Sequence, residues 1–504
     1  MLPSLLLDGS SLTLDDVYDV MFRRRKVEID PSALDRAAKA RQVLFDTAAA
    51  GKPVYGLNRG VGWNKDKEFD SQFFETYNRN LLNSHSLGIP PYNSTAEVRG
   101  MMLIRLNGAL LGRTGISTDI LKLYQDFLNL GIHPRVPRRG SIGEGDITTL
   151  SLIGLCFIGE GEVEYQGEII SSARAMELTG LKPAVLGPKD GLSIVSCNAQ
   201  GEAMTAELIY QVQQLLQLSA GVFGLSLEGL NGGLEPLGEQ VNALRGFPGQ
   251  VRTAARCRAY LEGSYLSQPD PKRPLQDPLS FRCFSAIQGA VEDSLDYVRK
   301  ALERQLVTTD DNPCIFYENG TTCVSPNFEV TSLVLGVEML AGSLSHLSRN
   351  MCNQLIHLSD PAFTGLSRFL TPVDIKVIAY GTIQKIFTSL DAENRLLANP
   401  SSMDYAPVAG NIEDHASNLP LAVDKCLKIV DNLRYILGIE AMHAAQATDL
   451  RGDIRLGVKT GRLKQVLRQD IPYLDKDRNL SRDIAKAYDM ILSGKLNQAL
   501  DAQS

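Results

Sequence analysis

Apolar side chains recur at helical spacing over most of the chain, and the longest such segment covers residues 199–230. Within it Ala203, Ala206, Leu208 and further apolar residues return every three or four positions, which is the period of one face of an α-helix. Segments of the same type predict further long helices at residues 284–306, 330–358, 373–397 and 421–446. The pattern therefore predicts a mainly α protein with a long central helix bundle, in which catalytic groups lie on loops at helix ends.

Short alternating segments predict two small β-hairpins in addition to the helices. Residues 162–170 alternate in polarity and turn at residues 166–167, and residues 314–324 are a second candidate hairpin. The N-terminal segment is typical of short helices. One of these helices is predicted to begin with Asp30 as its N-cap and Pro31 at its first position.

Two loops interrupt the apolar pattern in the first part of the chain. Residues 51–67 are polar and rich in glycine, and residues 136–145 combine proline, arginine and glycine. We predict two contiguous domains on this basis. Residues 1–198 form a loop-rich helical domain that carries both loops, and residues 199–504 form the central helix-bundle domain with the C-terminal helices.

The bulk composition narrows the class of protein. The 504 residues are 44% hydrophobic and 22% charged with a formal net charge of −7, so no basic surface for nucleic acid is expected. No apolar segment has transmembrane length, and the N-terminus has no signal-peptide pattern, so no membrane partner is expected either. The eight cysteines form no Cys-x-x-Cys pair and the six histidines no ligand-spaced cluster. We expect a cytoplasmic protein with reduced thiols and no metal.

The first candidate for chemistry is Tyr55, which lies in the glycine-rich loop at residues 54–62. Glycines let the backbone turn tightly, so the phenol can line a cleft. Taken alone, the segment is also explained by an ordinary Tyr-Gly turn. A role for Tyr55 therefore depends on the other segments of the chain.

Several segments, taken in chain order with the Tyr55 loop, resemble motifs of the histidine/phenylalanine ammonia-lyase family. They lie at residues 79–88, 187–200, 276–283, 309–313, 325–328 and 399–415. An ordered set of this length is far more specific than any single motif. The resemblance implies the helical ammonia-lyase fold and a carbon–nitrogen lyase activity, whereas the particular reaction has to be inferred from the site residues.

The resemblance assigns roles to residues in the first two thirds of the chain. Tyr55 matches the tyrosine that removes the β-proton of the substrate, and His85 matches a histidine that helps to hold the substrate ring. Asn198 matches the active-site asparagine, with Cys197 as the alternative because the spacing of this motif is altered. Phe328 matches an aromatic residue at the pocket.

Four further positions complete the comparison with the family. Arg282 matches the arginine that binds the substrate carboxylate, a role that suits a planar bidentate donor. The second catalytic tyrosine of the family is replaced by Leu279. Glu413 matches a glutamate that faces the substrate side chain in histidine-specific members. Lys385 lies near the position that distinguishes side chains, although a lysine on an amphipathic helix is as often simply solvated.

One feature of the family is missing from the loop at residues 139–150. The relatives carry Ala-Ser-Gly there, which cyclises into an electrophilic methylidene-imidazolone group, whereas Glu144 and Gly145 stand at this point of the present chain. No serine is left to dehydrate. The resemblance therefore implies a lyase without this prosthetic group, and the replacement of the tyrosine by Leu279 agrees with that.

A leaving group that departs unaided removes the need for the electrophile. A betaine carries a quaternary ammonium that leaves as neutral trimethylamine, and a thiol-substituted imidazole can accept charge from the β-carbon. One branch of the family releases trimethylamine and thiourocanate from ergothioneine, a 2-thiohistidine betaine. The resemblance implies the same small-molecule betaine as substrate here. Tyr55 would then act as base, Arg282 would bind the carboxylate, and Lys385 with Glu413 would contact the ring.

Two electrostatic expectations follow from this reaction. Near-neutral catalysis by Tyr55 requires a lowered pKa, and we expect Arg59 or Arg282 to lower it. The trimethylammonium requires an acidic or aromatic wall. Glu144 is the stronger candidate for this wall, because the family fold directs its loop into the site. Trp63 is the other candidate, although packing in a core or an interface is the simpler role for this tryptophan.

Other functions remain open at this stage. The chain can be an electrophile-free lyase or aminomutase that acts on another activated amino-acid derivative, or a non-catalytic homologue kept for binding or assembly. Retention of Tyr55, Arg282 and Glu413 opposes the non-catalytic interpretation, because binding alone does not require a base. The family resemblance also implies a homotetramer in which several subunits combine at each active site.

Overall fold

The computed structural model describes residues 2–68, 74–372, 376–403 and 406–501, and these residues are mainly helical. The helices in chain order are α1 (Leu14–Phe22), α2 (Pro31–Ala49), α3 (Phe74–His85), α4 (Thr95–Leu110), α5 (Thr118–Leu130), α6 (Ile147–Phe157), α7 (Ser172–Thr179), α8 (Asp190–Val195), α9 (Ala199–Leu230), α10 (Glu239–Arg245), α11 (Pro248–Tyr260), α12 (Leu279–Arg282), α13 (Phe284–Gln305), α14 (Thr331–Leu358), α15 (Pro361–Thr364), α16 (Gln384–Leu397), α17 (Leu419–Leu450), α18 (Val458–Asp470), α19 (Leu480–Leu492) and α20 (Lys495–Asp501).

The strands are short and form small sheets. They are β1 (Leu5–Leu7), β2 (Val27–Ile29), β3 (Ile89–Tyr92), β4 (Ile132–Pro134), β5 (Pro137–Arg139), β6 (Glu162–Tyr165), β7 (Glu168–Ser171), β8 (Cys314–Phe316) and β9 (Thr321–Cys323). β1 pairs with β2 in parallel, and the other pairs are antiparallel, with the orders β3-β5, β4-β6-β7 and β8-β9. Both hairpins predicted from the sequence are confirmed.

Contacts divide the chain into two compact units, each assembled from separate stretches. Unit 1 consists of Met1–Glu207, Arg299–Val337 and Pro400–Asp424, and unit 2 consists of Leu208–Val298, Glu338–Asn399 and Lys425–Ser504. The predicted domain boundary between residues 198 and 199 stays a prediction.

Unit 2 is a bundle to which α9, α13, α14 and α17 contribute most of their length. Phe223 of α9 stacks on Phe284 of α13 with ring centroids 3.8 Å apart. Ser226 of α9 donates a hydrogen bond to Glu440 of α17 at 2.8 Å. An added Cβ at Gly229 would lie 2.9 Å from Ala447, so a glycine lets α9 and α17 approach closely. The predicted helix-bundle architecture is confirmed.

Local signals in the sequence set several element ends. Asp30 accepts the amide N–H groups of Ser32 and Ala33, and Pro31 is the first residue of α2, as predicted. The turn between β6 and β7 has positive φ values at Gln166 and Gly167, 53° and 86°, which is the turn geometry that two-residue hairpins favour.

The helix predicted at residues 373–397 is wrong at its N-terminal end. α16 begins at Gln384, residues 376–383 are irregular or in turns, and residues 373–375 lie outside the described part of the chain. The carboxylate of Asp477 accepts the amides of Ile378 and Ala379 at 3.0 and 2.9 Å, and Ala379 has a φ of 48°. A left-handed residue interrupts a right-handed helix. Lys385 therefore lies in the first turn of α16.

The last long helix also begins earlier than predicted. α17 starts at Leu419 rather than after Pro420, because proline is tolerated in the first turn, where its missing N–H group has no partner to lose. Within the described ranges, no helix combines the length and the apolar character needed to cross a membrane.

Candidate active site

The Tyr55 phenol lies in a tight loop beside a backbone amide. The amide of Gly62 donates a hydrogen bond to Tyr55 Oη at 2.8 Å. Gly56 has a φ of 72°, and an added Cβ there would overlap the side chain of Leu192 in α8. Glycine is therefore required next to Tyr55, both for the left-handed turn and for the close approach of α8.

The electrostatic surroundings of Tyr55 differ from the expectation. Burial raises the pKa of Tyr55, the carboxylates of Glu413 and Glu144 raise it further, and the hydrogen bond from Gly62 opposes them. Arg59 forms an ion pair with Glu68. The prediction that Arg59 lowers the pKa of Tyr55 is therefore wrong for this chain, because that guanidinium is engaged by another carboxylate, and Arg282, the alternative, is not among the groups that act on Tyr55 in the single chain either.

Two carboxylates, Glu144 and Glu413, act electrostatically on Tyr55, and we call these three side chains the acidic pocket. Glu144 is half-buried, and burial, together with the charges of Glu413 and Asp414, raises its pKa to about 7. An added Cβ at Gly62 would lie 3.4 Å from Oε1 of Glu413, so this carboxylate borders the Tyr55 loop. The pocket collects negative charge and is suited to a cationic group.

Asn198 connects three segments that the sequence assigned to the site. Its buried side chain accepts the Gly145 amide at 3.0 Å and donates to the Phe328 carbonyl at 2.7 Å. Its own amide donates to Asp310 at 2.7 Å. The structure thus brings the Glu144 loop, Asn198 and Phe328 together, while a direct role of Asn198 or Cys197 at the substrate stays a prediction.

The Glu144 loop is also attached to the start of α9. The carboxylate of Asp146 accepts the amides of Gln200 and Gly201 at 2.9 and 3.0 Å and the hydroxyl of Ser141 at 2.5 Å. Burial raises the pKa of Asp146 to about 6, and these hydrogen bonds oppose the rise. The first turn of α9 therefore receives its cap from a residue two positions after Glu144.

Trp63 and His85 occupy the edges of this region in unit 1. The Trp63 ring lies on Gly410, where an added Cβ would be 2.7 Å from the indole, and 76% of Trp63 is exposed. Nδ1 of the half-buried His85 is 2.7 Å from the Leu81 carbonyl, which accepts a hydrogen bond from it. Contact of either residue with substrate stays a prediction.

Three of the assigned positions belong to unit 2. Arg282 is the last residue of α12 and donates to the side-chain carbonyl of Gln276 at 2.5 Å. Leu279 is the first residue of α12, and Lys385 is exposed in the first turn of α16. The roles of Arg282 at the carboxylate and of Lys385 at the ring stay predictions.

Buried acids behind Asn198 were not assigned from the sequence. Glu202 is buried and Asp310 is partly buried, and burial raises the pKa of both carboxyls. Arg105 binds the neighbouring Asp311 with distances of 2.9 and 3.2 Å. The consecutive aspartates at positions 310 and 311 were the sequence feature that could have indicated these acids. Among the residues that the structure describes, no group of three or more His, Cys, Asp or Glu side chains is arranged to hold a metal ion.

The chain belongs to the aromatic amino acid lyase family, whose family model matches residues 12–469. It is an enzyme, a carbon–nitrogen lyase. The structure is similar to that of ergothionase from Treponema denticola in complex with desmethyl-ergothioneine sulfonic acid. The two share 60% sequence identity over 98% of this chain and 99% of the other, with a TM-score of 0.97. The resemblance stated from the sequence motifs is confirmed.

Other relatives carry different names. The histidine ammonia-lyase of Stigmatella aurantiaca is 34% identical over 500 residues, covering 99% of this chain and 98% of the relative. The structure of a tyrosine aminomutase from Streptomyces globisporus is 26% identical in sequence and has a TM-score of 0.93. The match covers 99% of this chain and 98% of the aminomutase chain. The fold is therefore shared by enzymes that carry out different reactions. The reaction of this enzyme has to be inferred from its site residues.

Proposed function

We propose that this enzyme eliminates trimethylamine from ergothioneine and forms thiourocanate without a methylidene-imidazolone group. The observation that carries the proposal is the acidic pocket in which Glu144 and Glu413 act electrostatically on Tyr55. The similarity to an ergothionase that was solved with an ergothioneine derivative supports the same substrate.

A quaternary ammonium is the group that best fits this pocket. A bound cation offsets the negative charges of Glu144 and Glu413, which are among the groups that raise the pKa of Tyr55. A unit charge about 5 Å away contributes about 3 kcal/mol at an effective dielectric constant of about 20, or about two pKa units. The substrate itself would thus bring Tyr55 towards the phenolate, which is the role first expected of Arg59.

The proposed reaction is a 1,2-elimination with the protein acting only through acid–base and electrostatic groups. The Tyr55 phenolate takes the β-proton, the electron pair forms the double bond between the α- and β-carbons, and the carbon–nitrogen bond breaks. Trimethylamine leaves as a neutral molecule, and the proton stays on Tyr55. Arg282 would hold the carboxylate, and Lys385 with Glu413 would polarise the thiol-substituted ring, in a homotetramer whose subunits complete one another's sites.

The composition of the Glu144 loop supports a route without the electrophile. Glu144 stands between Gly143 and Gly145, so the serine that would have to dehydrate is missing from this position. The nearest serine, Ser141, donates its hydroxyl to Asp146 at 2.5 Å. The proposed reaction therefore has no step through a prosthetic group.

The substrate is tested by incubating the purified enzyme with ergothioneine and, separately, with histidine. We expect thiourocanate absorbance and an equal amount of trimethylamine from ergothioneine, and no ammonia from histidine. Ammonia from histidine, without turnover of ergothioneine, would overturn the proposal and favour the activity named for the relatives that are about one third identical.

The base is tested by Tyr55→Phe, which keeps the ring and removes the proton acceptor. We expect kcat for ergothioneine to fall by about a hundredfold or more, because a positioned general base contributes about 10²- to 10⁴-fold. Tyr165→Phe, a half-buried tyrosine whose hydroxyl contacts the Gln166 side chain in the β6–β7 hairpin, is the matched control. A Tyr55→Phe enzyme with nearly unchanged kcat would show that another group removes the proton.

A further inference from the structure

Two consecutive amides that follow Glu144 donate hydrogen bonds to the segment of Cys197 and Asn198. The Gly145 amide donates to the side-chain oxygen of Asn198 at 3.0 Å. The Asp146 amide donates to the carbonyl of Cys197 at 2.5 Å. Gly145 has a φ of 68°, so a left-handed residue sets the path of the backbone directly after Glu144. The direction in which the Glu144 side chain leaves its loop therefore depends on how positions 197 and 198 are held.

Asp310 holds this segment through the backbone of Asn198. Its carboxylate accepts the Asn198 amide at 2.7 Å, and the side-chain nitrogen of Asn198 donates to the Phe328 carbonyl at 2.7 Å. Asn198 is buried, so water does not replace a partner that is lost. A hydrogen bond to a carboxylate is also stronger than one between neutral groups. The contact with Asp310 therefore fixes the backbone at position 198.

A buried arginine fixes Asp310 in turn. Nη1 of Arg105 is 3.7 Å from Oδ1 of Asp310, while the other carboxylate oxygen, Oδ2, accepts the Asn198 amide. Arg105 is buried, and its Nε donates to the Ser193 carbonyl at 2.8 Å. Its Nη2 donates to the carboxylate of Asp311 at 2.9 Å. A guanidinium that is held on several sides therefore sets the position of the Asp310 carboxylate.

We propose that Asp310 is a positioning residue for Glu144. It holds the backbone of Asn198, and the Asn198 side chain holds the Gly145 amide, which sets the direction of the Glu144 carboxylate. The inference rests on the proposed function in that it takes Glu144 as a group that receives the quaternary ammonium. Asp310 makes no contact with substrate in this role and acts through Asn198.

The positioning role is tested by hydrogen exchange, read by mass spectrometry, in Asp310→Ala. This variant removes the acceptor for the Asn198 amide. We expect the slow amides in the peptide of residues 140–150 to exchange about tenfold faster, because the Gly145 and Asp146 amides lose part of their protection. Peptides of the β6–β7 hairpin belong to the same unit and serve as the internal reference, which should exchange as in the wild type.

Two further variants separate this role from a general loss of stability. Asp310→Asn keeps an acceptor oxygen and loses the charge, so we expect about a threefold change in the same peptide. It also provides the test if Asp310→Ala does not fold. Asp483→Ala is the matched control, because it removes another buried carboxylate, which pairs with Arg478 at 2.8 Å in unit 2. This control should leave the exchange of residues 140–150 unchanged.

Turnover provides the second measurement. We expect KM for ergothioneine at pH 8 to rise about 3- to 10-fold in Asp310→Ala, with kcat within about twofold of the wild type. The rise of KM that we expect below a pH of about 7 in the wild type should move to lower pH, because a loosened loop exposes Glu144 to water. Asp310→Asn should restore part of both effects, and Asp483→Ala should change neither.

The two hypotheses fail in different ways. If the wild type does not convert ergothioneine, the proposed function is wrong, while the exchange data still report whether Asp310 holds the Glu144 loop. If residues 140–150 exchange at the same rate in the wild type and in the Asp310 variants, the positioning role is wrong, whatever the substrate. Faster exchange that extends equally to the β6–β7 hairpin would indicate a general loss of stability and would also contradict the role.

Discussion

At the residue scale, Glu144 is a carboxyl whose charge changes near neutral pH. Burial, with the charges of Glu413 and Asp414, raises its pKa to about 7. Above that pH the carboxylate is ionised and can bind a cation, and below it a proton competes with the cation. Since the folded state holds this proton more tightly than the unfolded state, the contribution of Glu144 to stability decreases as the pH rises from about 4.5 through about 7.

We predict that Glu144→Gln weakens substrate binding and removes its pH dependence. KM for ergothioneine should rise about tenfold at pH 8, because the amide cannot offset the quaternary ammonium. In the wild type KM should rise as the pH falls below about 7, whereas in the variant it should be flat between pH 6 and 8. Glu168→Gln, at an exposed position in β7, is the control. A wild-type pH dependence that persists in Glu144→Gln would assign it to another group.

The sequence identified the side chains of the acidic pocket, but it did not identify the groups that surround Tyr55. Family motifs identified Tyr55, Glu144 and Glu413, and the structure brings these three together. Arg59 was given the wrong role, because its partner Glu68 lies nine residues away in a polar loop without a motif. The Gly62 amide could not be predicted, since its direction depends on a left-handed backbone angle at Gly62.

At the element scale, the loop with Glu144 and the helix α9 are fixed by a single carboxylate. Asp146 accepts two amides in the first turn of α9 from outside that helix. An ordinary N-cap such as Asp30 also accepts two amides but lies at the start of its own helix and is partly exposed to solvent. Loss of the buried cap leaves polar groups unpaired where water does not replace the carboxylate.

We predict that Asp146→Ala lowers the free energy of unfolding by about 2–4 kcal/mol, against about 1 kcal/mol for Asp30→Ala. Denaturant titrations of both variants provide the comparison. Asp146→Asn, which keeps one acceptor oxygen, should fall between Asp146→Ala and the wild type. Equal losses for the alanine variants at 146 and 30 would show that the buried cap contributes no more than an exposed one.

The start of α9 could be predicted from its apolar period, whereas the start of α16 could not. The apolar pattern continues through residues 376–383, so it indicates helix in a segment that is irregular. The interruption comes from Asp477, which is 98 and 99 residues away from the two amides that it accepts. A contact of this range leaves no trace in local periodicity.

At the scale of the whole molecule, the base and the acidic pocket belong to unit 1, while Arg282 and Lys385 belong to unit 2. Large apolar side chains are exposed in the single chain, among them Leu396 at 71% and Met403 at 77%. In an oligomer, apolar side chains of the subunit interfaces are exposed in this way when one chain is taken alone. We therefore expect the homotetramer implied by the family, with a mass in light scattering of four times that of the chain at micromolar concentration.

A shared site predicts that two inactive variants can restore each other. Tyr55→Phe and Arg282→Ala should each lose most of the turnover of ergothioneine as pure proteins. If each site takes Tyr55 from one subunit and Arg282 from another, mixed tetramers contain some sites with both residues intact. Random mixing of equal amounts gives about one intact site in four, so about a quarter of the wild-type activity should return.

The mixing experiment distinguishes a shared site from a site within one chain. The two variants are unfolded together and refolded, and turnover is compared with that of a mixture of separately refolded proteins, which should stay inactive. A site completed within one chain can never combine the two intact residues, so co-refolded tetramers would then remain as inactive as the pure variants. That result, together with a tetramer mass in light scattering, would support the homotetramer and contradict the shared active site. A monomer mass for the wild type would contradict both hypotheses.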